Sequence, residues 1–297
     1  MKTKRVELHY IKEFDSYGIA KSVLSELFKE KVLADIRLPE KELKENKNQP
    51  LLGFLLGQDM SKDGTDYYTI SHSYLESLKN TGANVCFLDY DNPVAETKNC
   101  HGIVLPGGCF DCPEDYFIIN KNLGEGIGKR FLAYKDIIES AHKEHKPMLG
   151  ICAGAQMLGA VLGKVKMYLH INKEVPGSIK HKPTEKGEVC MHKLKFYENT
   201  PIFKILGISP KDEFKMNSRH EQAMVLNTFK QKNAPAEMSI YAVSEADNIP
   251  EIWGNDKESI LCIQGHPEDF AASGDKAMQN IYNYVAERAM KYKKQHK

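Results

Sequence analysis

The stretch Met148-Leu149-Gly150-Ile151-Cys152-Ala153-Gly154-Ala155-Gln156-Met157-Leu158-Gly159 decides how this chain is read. It opens as an apolar run, breaks at Gly150 and resumes with helical spacing at Met157, Leu158 and Val161. That pattern predicts a buried strand, a sharp turn and a helix. Cys152 falls on the turn, with a glycine two residues away on either side. A strained turn of the Gly-x-nucleophile-x-Gly kind lifts its side chain above a sheet edge. The helix that follows points its N-terminus at the sulfur, which favours thiolate over thiol. A buried structural cysteine beside an ordinary tight turn is the alternative, and only the rest of the chain can decide between them.

Upstream, short apolar runs alternate with helical stretches. Leu51 to Leu56, Val85 to Leu88, Gly102 to Leu105 and Pro147 to Ile151 read as strands. Tyr67 to Lys79 and Phe131 to His145 carry helical spacing. This predicts an α/β fold with a mostly parallel central sheet and helices on both faces. Chemistry in such sheets collects at the carboxyl ends of the strands. Cys152 and Gly107-Gly108 both follow strand ends and so belong to one rim. Downstream, Val189 to Phe196, Ser239 to Val243 and Ser259 to Ile263 read as strands joined by turns, a small antiparallel portion. An amphipathic helix runs from Asp275 to a basic tail.

Residues 1–49 read as a separate extension, and 50–297 as the main domain. Ile19, Val23, Leu24, Leu27, Phe28 and Val32 mark one face of a helix, with Ser16 as its cap. Lys41 to Gln49 is charged and reads as a linker. The stripe is expected to pack on the main domain, with a homodimer or protein partner contact as the alternative. A net charge of +1 gives no pull toward nucleic acid or an anionic membrane. No apolar run approaches the length of a membrane span. The basic start lacks an apolar signal core. The seven cysteines are odd in number and lie partly in apolar runs. Together these lead to the expectation of a cytoplasmic protein. Cys109-Phe110-Asp111-Cys112 has metal or redox spacing but stands alone, so no metal or other cofactor is expected.

A cysteine nucleophile needs a base and a group to hold that base. Gln264-Gly265-His266-Pro267-Glu268 supplies both, directly after an apolar strand. In extended backbone His266 and Glu268 would point to the same side. Glu268 would then accept from one imidazole nitrogen and leave the other facing sulfur. Acyl transfer also needs oxyanion donors. The backbone of Pro106-Gly107-Gly108, through Gly108, and the amide of Ala153 are the natural pair.

Leu105-Pro106-Gly107-Gly108, Gly150 to Gln156 and His266-Pro267-Glu268 occur in that order. In this the chain resembles the class I glutamine amidotransferase-like superfamily, and within it the stand-alone gamma-glutamyl hydrolase-like group. Asn217-Ser218-Arg219-His220-Glu221-Gln222 resembles that group's Ser-x-His-His-Gln loop. The resemblance covers roughly residues 50–290. It implies a flavodoxin-like three-layer fold and a Cys152–His266–Glu268 triad. That triad would cleave a gamma-glutamyl amide of a small-molecule substrate through a thioester, releasing glutamate and an amine. It also implies that Gly107 and Gln156 hold the glutamyl group, with Ser218, Arg219, His220 and Gln222 near it. Two departures concern the pocket: Glu221 stands where the loop has its second His, and Gly265 where an aromatic is usual. The other readings are a glutaminase subunit that delivers ammonia to a separate synthetase, and a non-catalytic relative acting through residues 1–49.

Overall fold

A computed structural model describes residues 4–29, 34–38, 41–42, 48–88, 90–108, 112–118, 128–185 and 188–296. Its centre is a nine-stranded sheet. In chain order the strands are β1 (Leu51–Leu55), β2 (Asn84–Leu88), β3 (Gly102–Leu105), β4 (Met148–Ile151), β5 (Cys190–Phe196), β6 (Lys215–Ser218), β7 (Ser239–Ser244), β8 (Pro250–Asn255) and β9 (Ile260–Ile263). In space they run β6-β5-β7-β8-β9-β4-β3-β1-β2. The pairs from β2 through β1, β3 and β4 to β9 are parallel. From β9 outward through β8, β7, β5 and β6 every pair is antiparallel. The antiparallel portion expected after the elbow therefore comprises four strands.

The parallel strands read as unbroken apolar runs because both of their faces are covered. Leu52, Phe54, Phe87, Ile103, Val104, Leu149 and Leu261 are all buried. Helix α1 (His72–Lys79) and the C-terminal helix α4 (Lys276–Gln295) pack together on one face. Helices α2 (Lys129–Lys143) and α3 (Ala153–Gly163) pack together on the other. Strand order explains this division. The chain steps from β1 outward to β2, then returns past β1 to β3 and β4. Right-handed crossovers in opposite directions put their helices on opposite faces.

Two local readings are corrected. The helical pattern from Tyr67 splits: Asp66–Ser71 is a strand and the helix begins only at His72. Tyr67, Tyr68, Thr69 and Ile70 are aromatic or β-branched and favour extended backbone. Ser71 stops the strand and caps the helix, its Oγ accepting from the Tyr74 amide at 3.4 Å. The N-terminal stripe splits in the same way. Ser16–Ala20 is a strand, so Ser16 is no cap and Ile19 is not helical; the helix is Lys21–Lys29. The strand pairs antiparallel with Asp66–Ser71 in a four-stranded sheet that also holds His9–Ile11 and Gly57–Met60. The extension is thus hydrogen-bonded into the main domain. In the expected linker, Lys41–Glu42 forms a short strand and residues 43–47 lie outside the described residues. Val32 and Cys109 lie outside them as well. No described helix is long and apolar enough to cross a membrane.

Candidate active site

Sheet register brings three loops to one rim. Leu105 of β3 lies beside Gly150 of β4, and Ile151 of β4 beside Ile263 of β9. The next residues along each strand are Pro106, Cys152 and Gln264, so the Pro-Gly-Gly loop, the elbow and the His-Pro-Glu segment emerge together. Cys152 sits at φ 50°, ψ −111°, a conformation that costs a non-glycine residue about 1–3 kcal/mol. Neighbouring strands hold it there. Its amide donates to the Ile263 carbonyl at 2.7 Å, and the Gly154 amide donates to the Pro106 carbonyl at 3.2 Å. Gly154 is obligatory for contact reasons: a Cβ there would stand 2.1 Å from the Leu105 carbonyl oxygen. Ala153 opens α3, and the first amides of a helix have no intrahelical acceptor.

His266 and Glu268 are buried, and His266 Nδ1 donates to Glu268 Oε1 at 2.7 Å. They do not meet through extended backbone. Pro267 is helical at φ −62°, ψ −25°, and Glu268 begins a short helix, Glu268–Ala271. The fixed φ of proline suits the start of a helix, and the turn brings the carboxylate back to the ring. Burial alone would pull His266 down. The Glu268 and Cys152 charges, with hydrogen bonds to both, push it up to about 10. The site therefore favours an imidazolium beside Cys152. A Cβ built on Gly107 would lie 3.0 Å from both Cys152 Cβ and His266 Cε1, so that residue closes over the pair.

Groups with no local motif hold these loops. The Gly107 amide donates to Tyr74 Oη at 3.0 Å. Arg130 donates to the Gly107 carbonyl at 2.7 Å, and Tyr134 Oη to the Pro106 carbonyl at 2.6 Å. Gly108 has φ 137° and lies against the Arg130 guanidinium. Asn217 Oδ1 accepts from the His266 amide at 3.1 Å, while its Nδ2 donates to Asp269 at 2.8 Å. Of these, only Asn217 adjoins a segment with a sequence signal, the Ser218–Gln222 loop.

The structure gives the side chains of Ser218, Arg219, His220 and Glu221 partners within the protein, and Gln222 takes part through its carbonyl. Ser218 Oγ donates to the His181 carbonyl at 2.6 Å. Arg219 turns to the back of the His266–Glu268 pair, 2.7 Å from Asp269 Oδ2 and 3.4 Å from Glu268 Oε1. Glu221 pairs with His170 and Lys182 on the surface. His220 is buried and its Nδ1 lies 2.9 Å from the Gln222 carbonyl. Gln156 Nε2 donates to that same carbonyl at 2.9 Å and to Gln264 Oε1 at 3.2 Å. Gly265 lacks the usual aromatic because even a Cβ would come within 2.2 Å of Met216 and 2.6 Å of the Asn217 carbonyl oxygen.

The fold is similar to solved glutamine amidotransferase domains. The glutaminase domain of Trypanosoma brucei CTPS, solved with bound acivicin, superposes with a TM-score of 0.56 at 14% identity, covering 82% of this chain and 94% of that one. A glutamine amidotransferase from Thermotoga maritima gives 0.51 at 13%, covering 82% and 98%. In sequence, the imidazole glycerol phosphate synthase subunit HisH of Gloeothece citriformis is 25% identical over 235 residues, 74% of this chain and 93% of HisH. The putative glutamine amidotransferase-like protein YvdE of Lactococcus lactis is 28% identical over 209 residues, 66% and 79% of the two chains. These relatives fit a cysteine hydrolase of the glutamine amidotransferase type. The family model for Peptidase C26 matches residues 54–268, most of the chain, and the protein belongs to that family.

Proposed function

We propose that this protein hydrolyses a gamma-glutamyl amide. The observation that carries the reading is a strained Cys152 at a strand end beside a His266 that Glu268 holds protonated. The Cys152 thiolate attacks the side-chain carbonyl of the glutamyl group. Oxyanion charge is received by the amides of Ala153 and Gly108. As the C–N bond breaks, His266 gives its proton to the leaving amine. Water, deprotonated by the now neutral His266, then cleaves the thioester and regenerates the thiolate, releasing glutamate. Gly107 closes over the acyl group. Gln156, Ser218, Arg219, His220 and Gln222 act mainly by holding the loop that anchors His266, since their hydrogen bonds run inward. Arg219 steadies Glu268 and Asp269 from behind.

The test is glutamate release from a panel of gamma-glutamyl amides by wild type beside Cys152→Ala. Cleavage of one or more members, abolished by the substitution, is expected. Activity that survives in Cys152→Ala removes the nucleophile from its role. A second reading, ammonia delivery to a separate synthetase, draws on the likeness to HisH, a synthase subunit. It predicts glutamine as the best substrate and stimulation by a co-purifying synthetase. The hydrolase reading predicts a substituted amide and full activity from the chain alone.

A further inference from the structure

A second buried group of titratable residues lies beside the site. His181, His220 and Glu251 are buried and belong to three different segments. Strand β8 brings Glu251 to the rim, where its carbonyl accepts from the Gln264 amide at 2.8 Å. The His220 amide donates to the His181 carbonyl at 3.1 Å, joining the other two segments.

Their converging atoms form a nearly regular triangle. His181 Nδ1 and His220 Nε2 are 3.3 Å apart. Glu251 Oε1 is 3.5 Å from the first and 3.6 Å from the second. The far nitrogen of each ring faces a group that only accepts. His181 Nε2 lies 2.8 Å from Asp247 Oδ2, and His220 Nδ1 lies 2.9 Å from the Gln222 carbonyl. Those far nitrogens therefore face acceptors, which leaves the near ones free to present lone pairs. With the carboxylate oxygen, three lone pairs can meet at one point among buried side chains. One proton can bridge only one edge of that triangle, whereas a cation at its centre satisfies all three.

The spacing fits a particular class of cation. Zinc–nitrogen and zinc–oxygen bonds of about 2.0–2.2 Å at tetrahedral angles put ligand atoms roughly 3.4 Å apart. The surroundings also have the form of outer-shell support, an imidazole donating to a carboxylate and another to a backbone carbonyl. Glu251 Oε2 is buried with no hydrogen-bond partner, so it is available as a second donor. His192 lies against the same carboxylate, its Nδ1 3.2 Å from Glu251 Oε1 and its Nε2 3.1 Å from the Lys180 carbonyl. Its ring thus packs on the carboxylate from outside the triangle. A pocket of about 320 Å³, bordered by His181, Lys182, His220 and Glu221, gives water access to two of the ligands.

We propose that His181, His220 and Glu251 bind one divalent transition-metal ion of the zinc class, with water as the fourth ligand from the adjoining pocket. The ion clamps the 181 segment, β8 and the 218–222 loop. It therefore fixes Asn217, which holds the His266 amide. The proposal is independent of the hydrolase reading. It departs from the sequence expectation of no metal, which rested on cysteine spacing.

The test uses the full chain carrying Cys152→Ser, so that the reactive thiolate cannot compete for metal. Chelator-treated protein is titrated with cobalt(II), then with zinc, and Tm is recorded with and without zinc. One equivalent of a tetrahedral cobalt spectrum, displaced by zinc, and a zinc-dependent rise in Tm are expected. Glu251→Gln, nearly isosteric, should weaken cobalt binding at least roughly 100-fold, and Asp247→Asn, which of the three ligands meets only His181 and keeps an oxygen for the Ile179 and Ile249 amides, roughly 10–100-fold. If the treated protein yields no cobalt spectrum and no zinc-dependent rise in Tm, the site does not exist. If tight binding survives both variants unchanged, the metal is held elsewhere and the assignment falls. Asp247→Asn leaves the three ligands in place, so it gives a readout even where Glu251→Gln fails to fold.

Discussion

Glu268→Gln tests the electrostatics of the proposed active site most directly. Glutamine keeps the shape of the side chain and removes its charge from a position 2.7 Å from His266 Nδ1. In the intact site His266 is pushed from an ordinary 6.5 to about 10. At about 1.4 kcal/mol per pH unit, that is about 5 kcal/mol in favour of imidazolium, net of the burial that opposes it. Glu268 and Cys152 share this stabilisation, with the Glu268 charge the largest favourable contributor. If Glu268 supplies about half, its loss lowers the proton affinity of His266 by roughly 2 pH units. The raised value means the imidazolium persists up to about pH 10 and is lost above it. The alkaline limb of kcat/KM, where the leaving amine loses its proton donor, should therefore move to lower pH in the variant. The maximum should also fall by roughly 10²–10⁴-fold, the usual scale for misplaced acid–base catalysis. The assay is kcat/KM for a chromogenic gamma-glutamyl anilide across the alkaline range, with imidazole ¹⁵N shifts as a direct reading of His266. An unmoved alkaline limb and an unmoved ¹⁵N titration would refute the electrostatic reasoning. Stability carries the same sign: the contribution of His266 is full below about pH 6.5 and disappears as pH rises through about 10.

Gly154→Ala would force a methyl group to within 2.1 Å of the Leu105 carbonyl oxygen, and since backbone must move, a loss of about 3 kcal/mol or more is expected in chemical denaturation. A short iodoacetamide pulse on native protein, followed by peptide mapping, should label Cys152 and spare Cys112 and Cys262. Burial raises Cys112 to about 12 and Cys262 well above the usual thiol range, while Cys152 adjoins the raised His266. Arg219→Ala removes a half-exposed ion pair with Asp269, so stability should change by less than about 1 kcal/mol. KM for the amide should stay within a few-fold, because the guanidinium faces the back of Glu268; a large rise in KM would put it in contact with substrate. Deleting residues 1–20 strips the Ser16–Ala20 strand from Asp66–Ser71 and leaves that edge unpaired. Lower Tm and concentration-dependent aggregation by light scattering are expected.

The central sheet was legible for a physical reason. Strands β1 to β4 and β9 are covered on both faces, so each is a short apolar run that stands out against its charged surroundings. The elbow was legible because two glycines and a cysteine at fixed spacing have few other uses. Strands β6 and β8 were harder to see. Lys215-Met216-Asn217-Ser218 carries a single apolar residue, and β8 begins with Pro250 and a fully buried Glu251. A buried carboxylate on a strand makes sense only once His192 and His220 are known to face it, and only the folded chain brings those residues together. The strand Ser16–Ala20 was hidden differently: it runs directly into the helix Lys21–Lys29, so Ile19 falls at helical spacing from Val23 and joins its stripe.

The same distinction between local motif and long-range assembly bears on Gln156. From sequence it is a residue of the elbow motif and a natural contact for the glutamyl group. In the fold its amide nitrogen donates to the Gln222 carbonyl, which His220 Nδ1 also faces, and to Gln264, whose own amide bonds to Glu251. Gln156 therefore ties the first turn of the elbow helix to the buried histidine–carboxylate cluster. A substitution there removes a hydrogen bond from an acceptor shared with that cluster and leaves Gln264 Oε1 without its donor. Its effect on catalysis should consequently be read beside its effect on the cluster, through a double-mutant cycle with Glu251→Gln. Residues joined through one carbonyl should be strongly non-additive, whereas a residue that only contacts substrate should be additive with Glu251.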